Sequence, residues 1–325
     1  MRKGVNPEKL KNEANHHYRH RIIMPVYIPN IEEEYYKQTV AVFKHSLKSL
    51  VETINPETTA ITIIDNNSIA EVDAVIASYK DRIDKKVTYN ENKGKVYAVL
   101  NEMRSCYEPF VTCTDADVLF MKGWEKAVFK IFKDHSKAGV VAPLPSPSHG
   151  LKYNTSLFLN TYFLGKMGYK DIVTQEDLNL YAEGITNNYM LKRSNARYDW
   201  NEKQYYLKGD QPAIVGSGHF VATYKSVLFD KKGAFPKMKF ADGYEKNFID
   251  VLSDVFGLYR LSTVDTFAYH MGNSLDHNIE KLEHRSGEKI RDSEFEGIKT
   301  NHSKSLIPYA FKETLFKIFK KIVLK

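Results

Sequence analysis

The sequence predicts an α/β protein built on a mostly parallel sheet flanked by helices. Three observations predict this class. The chain has 325 residues, 42% of them hydrophobic, enough to bury a substantial core in one large domain or two smaller ones. Its first 150 residues alternate short β-branched runs with helical periodicity, the pattern of βαβ units. Those runs end in polar or acidic residues, which a parallel sheet gathers into one crevice at its strand ends.

The elements follow in chain order. Residues 1–20 form a basic extension. Residues 21–28 read as a strand running into a loop at Pro29-Asn30, after which Tyr36, Val40, Phe43, Leu47 and Leu50 recur at helical spacing. A second strand covers 60–65, Asn66-Asn67-Ser68 turns, and Val72, Val75, Ile76 and Tyr79 line a second helix. A short strand at 87–89 precedes a helix opened by Gly94, with Val96, Val99, Leu100 and Met103 inward. The strand at 109–115 ends in carboxylates. Residues 146–212 follow a Pro-rich turn, are rich in Tyr, Asn and Lys with weak periodicity, and read as a variable insertion. Regular structure returns as a Gly-kinked strand pair at 213–222, a helix at 242–256 and strands at 259–264 and 266–270. The stretch 273–304 reads as a polar tail and 305–325 as a basic amphipathic helix.

Composition narrows the function classes. The 41 aromatic side chains (21 Tyr, 18 Phe, 2 Trp) beside only 17 Gly and 11 Pro exclude disordered and fibrous chains. A net charge of +7 calls for an acidic partner such as a nucleotide phosphate, an anionic lipid or nucleic acid. Cys106 and Cys113 are too few for a disulfide framework, lack metal-ligand spacing and fit a reducing cytosol. The first 21 residues lack the apolar core of a secretory signal, and no run approaches the ~20 apolar residues of a spanning helix. A protein kept inside the cell is expected. No internal repeat points to a solenoid or propeller.

Four places carry candidate chemistry. Asp115-Ala116-Asp117 sits where an apolar strand ends, and two such carboxylates can hold a hard divalent cation against a diphosphate. A solvated acidic turn is the plainer alternative. His270, followed by Met271-Gly272, offers an imidazole ligand better suited to Mn2+ than to Mg2+, or a satisfied core histidine. Asp242 and Glu245 stand at a helix start, where they suit a general base or a capping box. Asp250 lies further along and reads as structural. Gly216, Ser217, Gly218 and His219 leave room for a sugar and offer backbone N–H groups, or mark a β-bulge. Trp124 and Trp200 are read as packing residues.

In order and spacing, these features resemble the glycosyltransferases of the GT-A fold, family 2 in particular, over roughly residues 21–272. The segment from Ile22 through Pro25 to Tyr27 looks like the family's first strand. Asp65-Asn66-Asn67-Ser68 resembles its acidic turn, Asn92-Lys93-Gly94-Lys95 with Ala98 and Asn101 its N-x-G segment, and Asp115-Ala116-Asp117 its D-x-D. The resemblance implies a Rossmann-like GT-A domain at 21–272 with its acceptor side in the insertion, and a nucleotide-sugar donor, a UDP-sugar foremost. Pro25, Tyr27, Asp65, Asn67, Asn92, Gly94, Lys95, Asp115 and Ala116 would bind that donor. Asp65 would accept from the nucleobase, Asp117 with Asp115 and His270 would hold Mn2+ or Mg2+, and the loop 216–219 would face a glycan or lipid-linked acceptor. In the family an acidic pair supplies the base; here Glu245 falls on its first acid and Lys246 on the second, so Glu245 or Asp242 is expected near the acceptor. The competing functions are transfer to DNA or protein, and a non-catalytic sugar-binding module. Nucleic acid is the less favoured partner.

At the C-terminus, Phe311, Leu315, Ile318, Phe319, Ile322 and Val323 share one helical face, and Lys317, Lys320, Lys321 and Lys325 the other. Such a helix fits an in-plane anchor on an anionic membrane, here the inner face of the cell membrane, or a helix packed on the domain.

Overall fold

The computed structural model describes residues 3–5, 17–184, 198–229, 235–237, 239, 245–301, 305 and 307–323. Four parallel strands, in the order β3 (Lys85–Thr88), β2 (Thr59–Asp65), β1 (His20–Val26) and β4 (Phe110–Thr114), make one end of a sheet that has ten strands among the described residues. Helices α1 (Thr39–Thr53), α2 (Ala70–Ser78) and α3 (Lys95–Met103) make the crossovers. Strand alternation divides the core between the two faces. Ile22, Met24 and Val26 pack with Phe43, Leu47 and Leu50 of α1, whereas Ile23 packs with Val99 and Leu100 of α3.

The α/β class and the mostly parallel centre agree with expectation, and the sheet is mixed beyond them. Strand β10 (Val221–Lys225) runs antiparallel between β4 and β6 (Ala138–Ala142), and β11 (Tyr259–Ser262) is parallel to β6. Beyond β11, the strands β9 (Ala213–Val215), β8 (Gln204–Leu207) and β7 (Met167–Lys170) extend the sheet antiparallel. The weakly periodic stretch thus supplies edge strands, together with α5 (Thr155–Thr161) and α6 (Gln175–Gly184). A separate pair joins β5 (Val118–Phe120) to β12 (Ala268–His270). Helix α4 (Trp124–Asp134) is tied to the sheet through a buried polar group: His20 Nδ1 meets Glu125 Oε1 at 2.9 Å and Nε2 meets Thr112 Oγ1 at 2.7 Å, so neither burial leaves an unpaired polar atom. Trp124 and Trp200 are both buried as packing residues.

Four expectations need correction. The first helix starts at Thr39, because Glu34–Tyr36 closes a 3-10 turn and takes Tyr36 out of the helix. The helix expected at 242–256 is, in its described residues, a π turn, Lys246–Asp250, followed by α7 (Leu252–Val255). The tail is not simply a polar strap: α8 (Asn278–Glu283) buries Ile279 and Leu282, and Phe295 packs 4.5 Å from Phe129 between ring centroids. The C-terminal helix α9 (Tyr309–Ile322) has two apolar faces rather than one. Phe316 and Phe319 are buried against Phe158 and Tyr162, and Lys312 is buried with its Nζ 2.8 Å from Ser156 Oγ. Phe311, Leu315, Ile318 and Ile322 form a second, exposed stripe.

Candidate functional site

The C-terminal ends of β1, β2 and β4 open into one cleft of about 510 Å³. Pro25 and Tyr27 line it from β1, Asn92, Gly94 and Lys95 from the entry to α3, and Asp115, Ala116 and Asp117 from the turn after β4. Glu245 closes one side. Parallel strands that all terminate at one edge put these residues together although they are separated by up to 220 positions, as the difference between 245 and 25 gives.

Pairing of β12 with β5 sets His270 opposite Val118 and so beside the D-x-D turn. Its Nε2 lies 3.3 Å from Asp117 Oδ2, while its Nδ1 donates to Gly184 O at 2.6 Å. That backbone acceptor turns Nε2 toward the carboxylates, the outer support that metal-binding histidines use. Ligand atoms of Asp115, Asp117 and His270 all lie within 4.8 Å of one another. Asp117 Oδ1 is buried with no hydrogen-bond partner among the described residues. Burial favours the neutral imidazole, but Asp117 chiefly, with the Gly184 carbonyl and Asp115, outweighs it and raises the His270 pKa to about 9. Burial likewise raises the pKa of Asp115, against the pull of Lys95.

Lys95 Nζ sits between two acids, 2.5 Å from Asp115 Oδ1 and 3.1 Å from Glu245 Oε1. Burial disfavours its charge, yet the two carboxylates hold its pKa above the ordinary value. Gly94, just before Lys95, lets the backbone at Lys239 come close. It has φ +82°, and a Cβ there would meet Lys239 O at 2.3 Å. Asn92 fixes the same segment by accepting from Gly94 N–H at 2.8 Å and from the Asn66 amide at 2.9 Å.

Other predicted residues take different positions. Asp65 is buried and its Oδ1 accepts from Ser68 N–H at 2.9 Å, so the turn-capping role is present; the cleft wall at that point is Asn66 rather than Asp65 or the exposed Asn67. Asp242 lies outside the described residues. Gly216, with φ +131°, packs where a Cβ would meet Ser146 O at 2.4 Å. The carbonyls of Ser217 and Gly218 accept from the Arg260 guanidinium at 2.9 and 3.3 Å, and Phe220 O accepts from Asp115 N–H at 2.7 Å. The loop is therefore stitched between β11 and the D-x-D turn. His219 stands on it, 3.8 Å from Glu245 and 3.3 Å from Asp250. Sequence reasoning passed over Tyr35, Asn66, Lys239 and Asn273, which also line the cleft. Only Asn66, directly after the strand that ends at Asp65, offered a signal.

The model described as glycosyl transferase family 2 matches residues 22–216, which is 195 of the 325 positions. Glu245 and His270 lie beyond that span. No curated protein matches. Among solved structures, the chain is similar to the mannosyltransferase PcManGT from Pyrobaculum calidifontis in complex with GDP-Man and Mn2+, at 14% identity over 80% of this chain and 60% of that one, with a TM-score of 0.42. It is also similar to S. aureus TarS 1-349, at 12% identity over 77% of this chain and 59% of that one with a TM-score of 0.43. For TarS 1-349 in complex with UDP the values are 12%, 93%, 70% and 0.45. The chain thus spans about three fifths of the length of the first two.

Proposed function

Because the chain belongs to glycosyl transferase family 2, we propose that it moves a sugar from a nucleotide-sugar donor to a saccharide acceptor by a metal-dependent, inverting reaction in saccharide assembly. The observation that carries this reading is the convergence of Asp115, Asp117 and His270 on one point, with both acids lining the cleft. Two carboxylates and an imidazole suit Mn2+, with Mg2+ the harder alternative, and the buried, unpartnered Asp117 Oδ1 fits a ligand awaiting its cation. A divalent cation held there neutralises charge on the departing diphosphate. In this reading Lys95, with Asn92 and Gly94, meets the diphosphate, and Pro25, Tyr27 and Asn66 meet the nucleobase. A UDP-sugar is the first donor to try.

Glu245 is the base in this reading. Its carboxylate on the cleft wall takes the proton of the acceptor hydroxyl as that oxygen bonds to the anomeric carbon and the diphosphate leaves with the electron pair of the broken C–O bond. A non-catalytic module fares less well, because Asp115, Asp117 and Glu245 all line the cleft and His270 stands against Asp117. The exposed stripe of α9, flanked by Lys317 and Lys321 and joined by the exposed Phe163 and Leu164 beside Phe319, supports in-plane contact with an anionic membrane surface, where a lipid-linked acceptor would be presented.

The test is a panel of nucleotide sugars with Mn2+, read by nucleoside diphosphate release. One donor should turn over and excess chelator should stop it. A panel in which no donor is hydrolysed or bound would overturn the reading, and full turnover in chelator would remove the metal from it.

A further inference from the structure

Glu245 stands at one end of a row of ionisable groups. Its Oε2 lies 3.8 Å from His219 Nε2, His219 Nδ1 lies 3.3 Å from Asp250 Oδ2, and Asp250 Oδ1 accepts from Arg260 at 3.2 Å. Three elements build the row: the loop 216–220, the helix after residue 245 and strand β11. In an α-helix, residues five apart point about 140° away from each other. The wider π turn, closed by Val251 N–H on Lys246 O at 3.1 Å, brings Glu245 and Asp250 to the same histidine. π turns of this kind are frequent at functional sites.

Arg260 fixes the far end. It is buried, and besides Asp250 Oδ1 it bonds Asp250 O at 2.9 Å and the carbonyls of Ser217 and Gly218. Asp250 and the His219 loop therefore move as one body. The near end is open: the His219 side chain is 42% exposed, so its ring reaches water while Glu245 lines the cleft. Burial works against ionisation of Asp250, but Arg260 and His219 hold its pKa well below the carboxylate range, and the hydrogen bond to Asp250 raises that of His219. Among the described residues, the ionisable groups facing the imidazole are Asp250 and Glu245, Arg260 from β11, Lys95 from α3 and His149 from the turn Pro147–His149.

We propose that His219, oriented by Asp250, is a positioning residue for Glu245 that carries the acceptor's proton from Glu245 to solvent. In the resting pair, Nδ1–H donates to Asp250 and the Nε2 lone pair faces Glu245. The acceptor O–H gives its proton to Glu245, the proton passes from Oε2 to Nε2, and the imidazolium releases it from Nε2 to water, so no net charge accumulates. The gap of 3.8 Å closes by side-chain rotation or one water. Asp250 and His219 thereby compensate for Lys246, which stands where the family's second acid is expected.

This inference rests on Glu245 as the base, and the experiment separates the two. The His219 ring is titrated by NMR in the ligand-free wild type, Glu245→Gln and Asp250→Asn, and turnover against pH is measured for these and for His219→Gln with the donor that the panel identifies. The His219 pKa should lie above 6.5 in the wild type and fall in both acid variants. His219→Gln should lower kcat on the order of 10-fold with donor KM unchanged, and remove one ionisation from the kcat profile. Wild-type turnover in Glu245→Gln would reject the base and the relay together. An inactive Glu245→Gln beside a His219→Gln whose pH profile matches wild type would reject the relay alone, as would a wild-type His219 pKa that Glu245→Gln leaves unmoved, a readout that stands even where Asp250→Asn does not fold.

Discussion

Replacing Arg260 by Met keeps the side-chain volume and removes the charge that holds the 216–220 loop to Asp250. The guanidinium is 1% exposed and bonds four oxygens: Asp250 Oδ1, Asp250 O, Ser217 O and Gly218 O. Taking one partner from a buried ion pair leaves an uncompensated charge and costs about 3–5 kcal/mol. The three carbonyls lose neutral-to-charged hydrogen bonds as well, so the upper end of that range is expected for Arg260→Met at pH 7. Urea unfolding of wild type and variant measures it, with equal m-values required before midpoints are compared. Because Asp250 has a depressed pKa in the folded protein, its contribution is fully present above the unfolded value of about 3.9 and is lost as pH falls below that. The gap between wild type and Arg260→Met should therefore narrow below about pH 4, and Asp250→Asn combined with Arg260→Met should be less destabilised than Arg260→Met alone. A loss under about 1 kcal/mol at pH 7, or a gap that widens on acidification, would refute the reasoning.

Two further outcomes follow from the C-terminal helix. Phe316→Ala should cost about 3–5 kcal/mol, because its ring packs 5.2 Å from Phe158 and is 3% exposed, and the measurement is again urea unfolding. Ser replacements of Phe311, Leu315, Ile318 and Ile322 should leave stability within about 0.5 kcal/mol but abolish salt-sensitive sedimentation with anionic vesicles; unchanged sedimentation would remove the membrane contact from the account.

How far the sequence was legible depended on where each signal resides. Asp115 and Asp117 were readable because an apolar run of strand length ends on them, and His270 because a second strand-length run ends on it; the 118–120 and 268–270 pairing then made them neighbours. Asp250 reads as structural because it lies further along the expected helix, and no periodicity in the chain announces the π turn that brings it back to Glu245's side. Arg260 left no signal of its burial. Alternation beside Tyr259 and Leu261 fits an outward-facing Arg on a half-exposed strand, but its face of the sheet is covered, and a buried guanidinium must find acceptors. The C-terminal helix was seen as amphipathic, but periodicity shows how wide an apolar stripe is and not that one part of it covers Phe158 while the rest faces out.

The central claim is that Asp115, Asp117 and His270 hold the cation that binds a nucleotide diphosphate. Calorimetric titration of UDP and GDP into wild type and Asp117→Asn, each with Mn2+ and with chelator, tests it most directly. The account predicts binding to the wild type that needs Mn2+ and weakens by at least about 10-fold in a folded Asp117→Asn protein. Equal affinity with and without Mn2+, or in both proteins, would contradict it.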